Sequence, residues 1–82
     1  MDERAIYAVL TDIFREVFRH EVMVLIPELS AKDVAGWDSF KQVDIILLVE
    51  QRYGFTMNTK ELDGLNNVGD LARVVAARTG GK

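Results

Sequence analysis

Few side chains in this sequence can do chemistry. There is one histidine, His20, and no cysteine, which excludes disulfides, CxxC redox chemistry and thiolate metal sites. A zinc site would have to rely on carboxylates around His20, and a surface or capping role suits a histidine at the end of a helical pattern better. A Ser-His-Asp arrangement could only join His20 to Ser39, from which a loop separates it, and no Gly-x-Ser-x-Gly surrounds either serine. The six glycines form neither GxGxxG nor a phosphate-binding GxxxxGK loop. The remaining candidate is Gly36-Trp37-Asp38-Ser39-Phe40, a serine between a long loop and a helix. On residue chemistry alone its simplest role is an N-cap, because Ser and Asp are the usual caps.

The elements that must position this serine can be read from hydrophobic spacing. Ile6, Val9, Leu10, Ile13, Phe14 and Val17 fall at i, i+3, i+4, i+7 and predict a first helix over about residues 2–18. Asp2 and Glu3 suit its positive N-terminal end, and Arg19 and His20 its other end. Residues 21–38 lose the period and hold the only proline, Pro27, with the turn formers Ser30, Asp33 and Gly36. They are expected to form a long ordered loop. Residues 22–26 could make a short strand, but an isolated strand is marginal in water, so apolar loop residues packed over the helices are preferred.

A second helix is expected from Ser39, through a Ser39-x-x-Gln42 capping box, to a stop at Gly54. Residues 43–49 are rich in β-branched side chains and could also be a buried strand; length, cap and terminal glycine favour helix. As a helix it carries two apolar stripes, one of Ile45, Ile46, Val49 and Tyr53, the other of Phe40, Val43 and Leu47. Asn58 and Glu61 could cap a short third helix ended by Gly64, and a last helix should follow Asn67 with Val68, Leu71, Ala72, Val75 and Ala76 on one face. Residues 80–82 should be loose. Trp37 is expected to anchor the loop against the helices, and Met23 and Met57 to fill gaps. The fold class predicted is all-α: a small four-helix bundle with a long first loop and a short third helix, one domain over residues 1–82 with an ordered core of about 3–78.

Composition bounds the function. A chain of 82 residues buries only about 60–65% of its unfolded surface, so a deep enclosed active site is not expected. The net charge of −3 gives no electrostatic footprint for nucleic acid. Residues 45–49 are far short of the roughly 20 apolar residues of a membrane span, and the charged start lacks a secretory pattern. A cytoplasmic monomer is the expectation.

Asp38-Ser39, followed by Phe40, Val43, Ile46, Leu47 and Glu50 to Tyr53-Gly54-Phe55, resembles the Asp-Ser-Leu attachment motif and second helix of acyl carrier proteins. The resemblance extends back through Pro27-Glu28-Leu29-Ser30-Ala31-Lys32-Asp33-Val34-Ala35-Gly36-Trp37 to the loop of free-standing bacterial carriers, and helix order agrees from Ile6 to about Arg78. It implies no catalysis by the chain itself. Ser39 would receive 4′-phosphopantetheine from coenzyme A through a separate Mg²⁺-dependent phosphopantetheinyl transferase, and Asp38 would complete the motif. The thiol belongs to the arm, which reconciles thioester chemistry with a chain that has no cysteine. Ile45, Ile46, Val49 and Tyr53 would pack in the bundle, while Phe40, Val43, Asp44 and Leu47 would face the acyl-loading and acyl-processing enzymes. For Phe40 and Leu47 ordinary core packing stays open, since exposed apolar patches are disfavoured unless used. Asp38 and Glu50 could add acidic docking contacts, a solvated helix face being at least as good a reading of Glu50.

Phe40 in place of the family's leucine, Lys41 beside it, Gln51 and Arg52 where carriers of general fatty-acid synthesis are more acidic, and the mild net charge point to a dedicated carrier in a specialised fatty-acid, polyketide or related pathway. The alternatives are a peptidyl or aminoacyl carrier of a nonribosomal pathway, with the same fold, and an unmodified helical module that docks through Phe40, Val43 and Leu47.

Overall fold

The computed structural model describes residues 3–19, 24–34 and 36–79. Asp2, His20, Val22, Met23 and residues 80–82 lie outside them, and so do the expectations placed on those residues. The described chain forms four helices in the order α1 (Glu3–Phe18), α2 (Ser39–Tyr53), α3 (Thr59–Asp63) and α4 (Val68–Arg78), with no strand among the described residues. The all-α bundle with a long first loop and a short third helix is what periodicity predicts.

One core joins these elements. From α1 it takes Ile6, Leu10, Ile13, Phe14 and Val17, the stripe seen in the sequence, with Ile45 and Val49 of α2 and Val68, Leu71, Ala72 and Val75 of α4. Met57 fills the gap between α2 and α3 and is buried. The principal helix contacts are α1 against α2 and α1 against α4. Among the described residues no helix is long and apolar enough to cross a membrane.

The helix ends follow local chemistry. Gly54 closes α2 with φ 75°, a left-handed turn that a Cβ disfavours, and its N–H donates to Glu50 O at 2.8 Å. Asn58 and Glu61 form a complete capping box at α3, as their spacing suggests. At α2 the expected box is not made. The N-cap is Asp38, whose Oδ1 accepts from Lys41 N–H at 3.0 Å, while Gln42 Oε1 accepts from the Trp37 indole N–H at 2.8 Å. A carboxylate one residue earlier captures the orphan N–H better than the serine hydroxyl, because the acceptor is charged. Ser39 becomes the first helical residue, and its side chain is released from capping.

The loop is ordered by its own turns and by α4. Leu29 N–H donates to Ile26 O, Asp33 N–H to Ser30 O and Trp37 N–H to Val34 O. The first amides of α4 are satisfied by the loop backbone, Val68 N–H donating to Leu29 O and Gly69 N–H to Pro27 O, each at 2.9 Å. That approach explains the glycine: a Cβ at residue 69 would lie 3.1 Å from both Cβ and O of Pro27. Leu25 and Leu29 pack against the core as expected of apolar loop residues. Val24 and Ile26 do not. They are 76% and 48% exposed, and Leu25 between them packs against the core.

Candidate functional site

Asp38 and Ser39 stand where the loop meets α2, both exposed. The first backbone bond of α2 runs from Gln42 N–H to Asp38 O at 2.9 Å, so the N–H groups of Ser39 and Phe40 precede the helical ladder at its positive end. Of the two serines in the sequence, Ser30 places its Oγ on the Asp33 carboxylate at 3.3 Å, whereas Ser39 Oγ has no hydrogen-bond partner among the described residues. Ser39 opens onto a cleft of about 380 Å³ between the loop, α3 and the start of α4. Phe14, Leu62, Leu65 and Leu71 form its apolar part, and Gln42, Asn66 and Asn67 bring amide groups to it.

Trp37 is the back wall. Its ring meets Phe14 edge-on at 5.3 Å and Phe18 at 6.1 Å, and its N–H holds Gln42. The loop is thereby pinned to α1 just before Ser39, which is the anchoring role expected of this residue. Lys41 points away from the cleft: its Nζ lies 3.4 Å from Val17 O, at the negative end of α1.

The two stripes of α2 separate in the structure. Ile45 and Val49 are buried, and Ile46 and Tyr53 pack against the core. Phe40, Val43 and Leu47 are 79%, 54% and 51% exposed, so ordinary core packing is excluded for them. With exposed Asp44 they form a continuous surface running down α2 from Ser39, since residues three and four apart share a helix face. Two other carboxylates have structural duties. Asp38 caps α2, and Glu50 is half-buried and accepts the Met57 N–H at 2.8 Å.

One feature escapes the sequence altogether. Arg78, in the last turn of α4, donates from Nε to Glu61 Oε2 at 2.8 Å and from a terminal nitrogen to Glu61 Oε1 and Thr56 O, each at 3.0 Å. Its guanidinium lies 5.6 Å from the centre of the Phe55 ring. The Arg78 fork, aided by the Asn58 N–H, lowers the Glu61 carboxyl to about 2. Seventeen residues separate the partners, so no helical spacing announces the pair.

A serine at the start of a helix, beside an open cleft and an exposed apolar stripe, is the arrangement of a carrier domain. No family model matches the chain. The chain is 33% identical over 73 residues to the meromycolate extension acyl carrier protein of Mycolicibacterium aurum, covering 89% of this chain and 75% of that one. It is equally similar to the protein of that name from Mycolicibacterium smegmatis, of which it covers 74%. Among solved structures, the solution NMR structure of a holo acyl carrier protein from Geobacter metallireducens superposes with a TM-score of 0.85 and 39% identity, over 90% of this chain and 85% of that one. The chain belongs to the acyl carrier protein family. It is a carrier and not an enzyme, works with a phosphopantetheinyl transferase and acyl-processing enzymes, and carries 4′-phosphopantetheine as its covalent group.

The site suits that group. The unengaged hydroxyl offers an attachment atom, the adjoining N–H groups can receive a phosphodiester, and the cleft combines amide-bearing and apolar walls beside it.

Proposed function

We propose that Ser39 Oγ is the point at which 4′-phosphopantetheine is attached, and that the protein serves as a dedicated carrier in a specialised fatty-acid pathway of the cytoplasm. The observation that supports Ser39 most directly is its freedom: Asp38 has taken over the cap, so the hydroxyl is exposed beside the cleft and has no hydrogen-bond partner among the described residues. When attached, the arm supplies the thiol that holds the acyl group as a thioester.

The chain's own residues hold and present. Asp38 fixes the first turn of α2, and the N–H groups of Ser39 and Phe40, at the positive end of the helix, would receive the phosphodiester. Trp37 and Gln42 tie the end of the loop to the first turn of α2. Phe40, Val43, Asp44 and Leu47 form the docking face, with apolar area for affinity and Asp44 for charge complementarity to basic partner surfaces. The two relatives named for meromycolate extension support a pathway of specialised fatty-chain extension.

Intact mass tests the attachment. Incubated with coenzyme A, Mg²⁺ and a broad-specificity phosphopantetheinyl transferase, the protein should gain one phosphopantetheine, and Ser39→Ala should gain none. A folded wild type that stays unmodified would return the docking-only module to first place.

A further inference from the structure

Helix α3 borders the cleft but is weakly built. It has five residues, none of them buried, and a helix of that length does not persist on local bonds alone. Met57 before it and Leu65 after it reach the core. Between those anchors, the only long-range hydrogen bonds to a side chain of α3 among the described residues are those of the Arg78 fork on Glu61. Leu62, the next residue, is a wall of the cleft, 37% exposed and without a bond of its own to the bundle. Arg78 itself does not line the cleft.

We propose that Arg78 is a positioning residue for the cleft beside Ser39: by gripping Glu61 and Thr56 O from the end of α4, it holds α3 closed and keeps the Leu62 wall over whatever occupies the cleft. This rests on the reading of Ser39 as the attachment point. The fork ties the end of the chain's last helix to the segment that must yield when the cleft opens, so the strength of one surface contact sets how readily cargo is exposed. Phe55 and Thr56 hold the guanidinium from below, one by its ring face and one by its carbonyl. The fork is therefore a two-pronged contact with two further supports, unlike a single-point surface pair. Glu61 has a second duty in the capping box, which Gln can also perform. Glu61→Gln therefore removes the charged grip while keeping the cap.

The test uses the full chain. Amide hydrogen exchange on the apo protein should quicken roughly three- to tenfold at residues 61–65 in Arg78→Met and in Glu61→Gln, with α1 and the middle of α2 unchanged; Arg78→Lys, which keeps charge without the planar fork, should fall between. With the arm loaded, the octanoyl thioester should hydrolyse severalfold faster in Arg78→Met than in wild type, while the acetyl thioester, too short to reach under Leu62, should not change. Exchange that stays at wild-type rates in a protein that loads normally would overturn the latch, as would faster exchange with no difference between octanoyl and acetyl lifetimes. A wild type that fails to load at Ser39 would overturn the attachment reading and the cleft-guarding role with it.

Discussion

Helices α1 and α2 are almost equal in length, 16 and 15 residues, and both are rich in apolar side chains, yet α1 buries Ile6, Leu10, Ile13, Phe14 and Val17 while α2 buries only Ile45 and Val49. The difference lies in what each stripe meets. The stripe of α1 faces two helices, α2 and α4, whereas the principal partner of α2 is α1, and Phe40, Val43 and Leu47 are left to solvent. The apolar residues that α2 leaves exposed are those of the docking face proposed above. On that proposal stability and recognition fall to two neighbouring helices, and substitutions should separate them.

The largest effect should come from the α1 side. Phe14→Ala removes a buried ring that also supports Trp37, and it should cost about 3–5 kcal/mol in urea unfolding. An equal loss from Phe40→Ala would break the comparison. Next, Glu50→Ala leaves the Met57 N–H without its acceptor and should cost about 1–3 kcal/mol, with Glu50→Gln recovering most of it. Phe40→Ala and Leu47→Ala should change stability by no more than about 0.5 kcal/mol. The same two variants should lower the kcat/KM of the transferase on this protein by roughly tenfold, measured by the rate of arm transfer. The smallest effect is on pH. Because the Glu61 carboxyl is depressed in the folded state, its contribution is fully present above the ordinary carboxylate range and fades as pH falls from about 4.5 to about 2. Thermal unfolding of wild type and Glu61→Gln should therefore converge across that window.

How far the sequence reveals this division depends on the range of the interactions. The stripe of α1, the Asn58–Glu61 cap and the face of α4 are local patterns, and each is found where its spacing puts it. The two stripes of α2 are equally visible, but which of them is buried depends on where α1 lies, and only the family resemblance assigned them. The cap of α2 is not fixed by spacing, because Asp38-x-x-Lys41 and Ser39-x-x-Gln42 are both admissible; the choice is made by the carboxylate and by the Trp37 indole, which draws Gln42 away. The exposure of Val24 and Ile26 and the grip of Arg78 on Glu61 carry no local signature. Both depend on how distant segments meet.

Trp37 is the only tryptophan of the chain. Its indole forms part of the wall beside Ser39 and is hydrogen-bonded to Gln42 in that same wall. The emission of an indole responds to the polarity and hydrogen bonding around it. The molecule thus contains its own optical gauge beside the proposed attachment point, so intrinsic fluorescence should report loading, unloading and any opening of the cleft in real time, with no dye attached to the face of α2 proposed for docking.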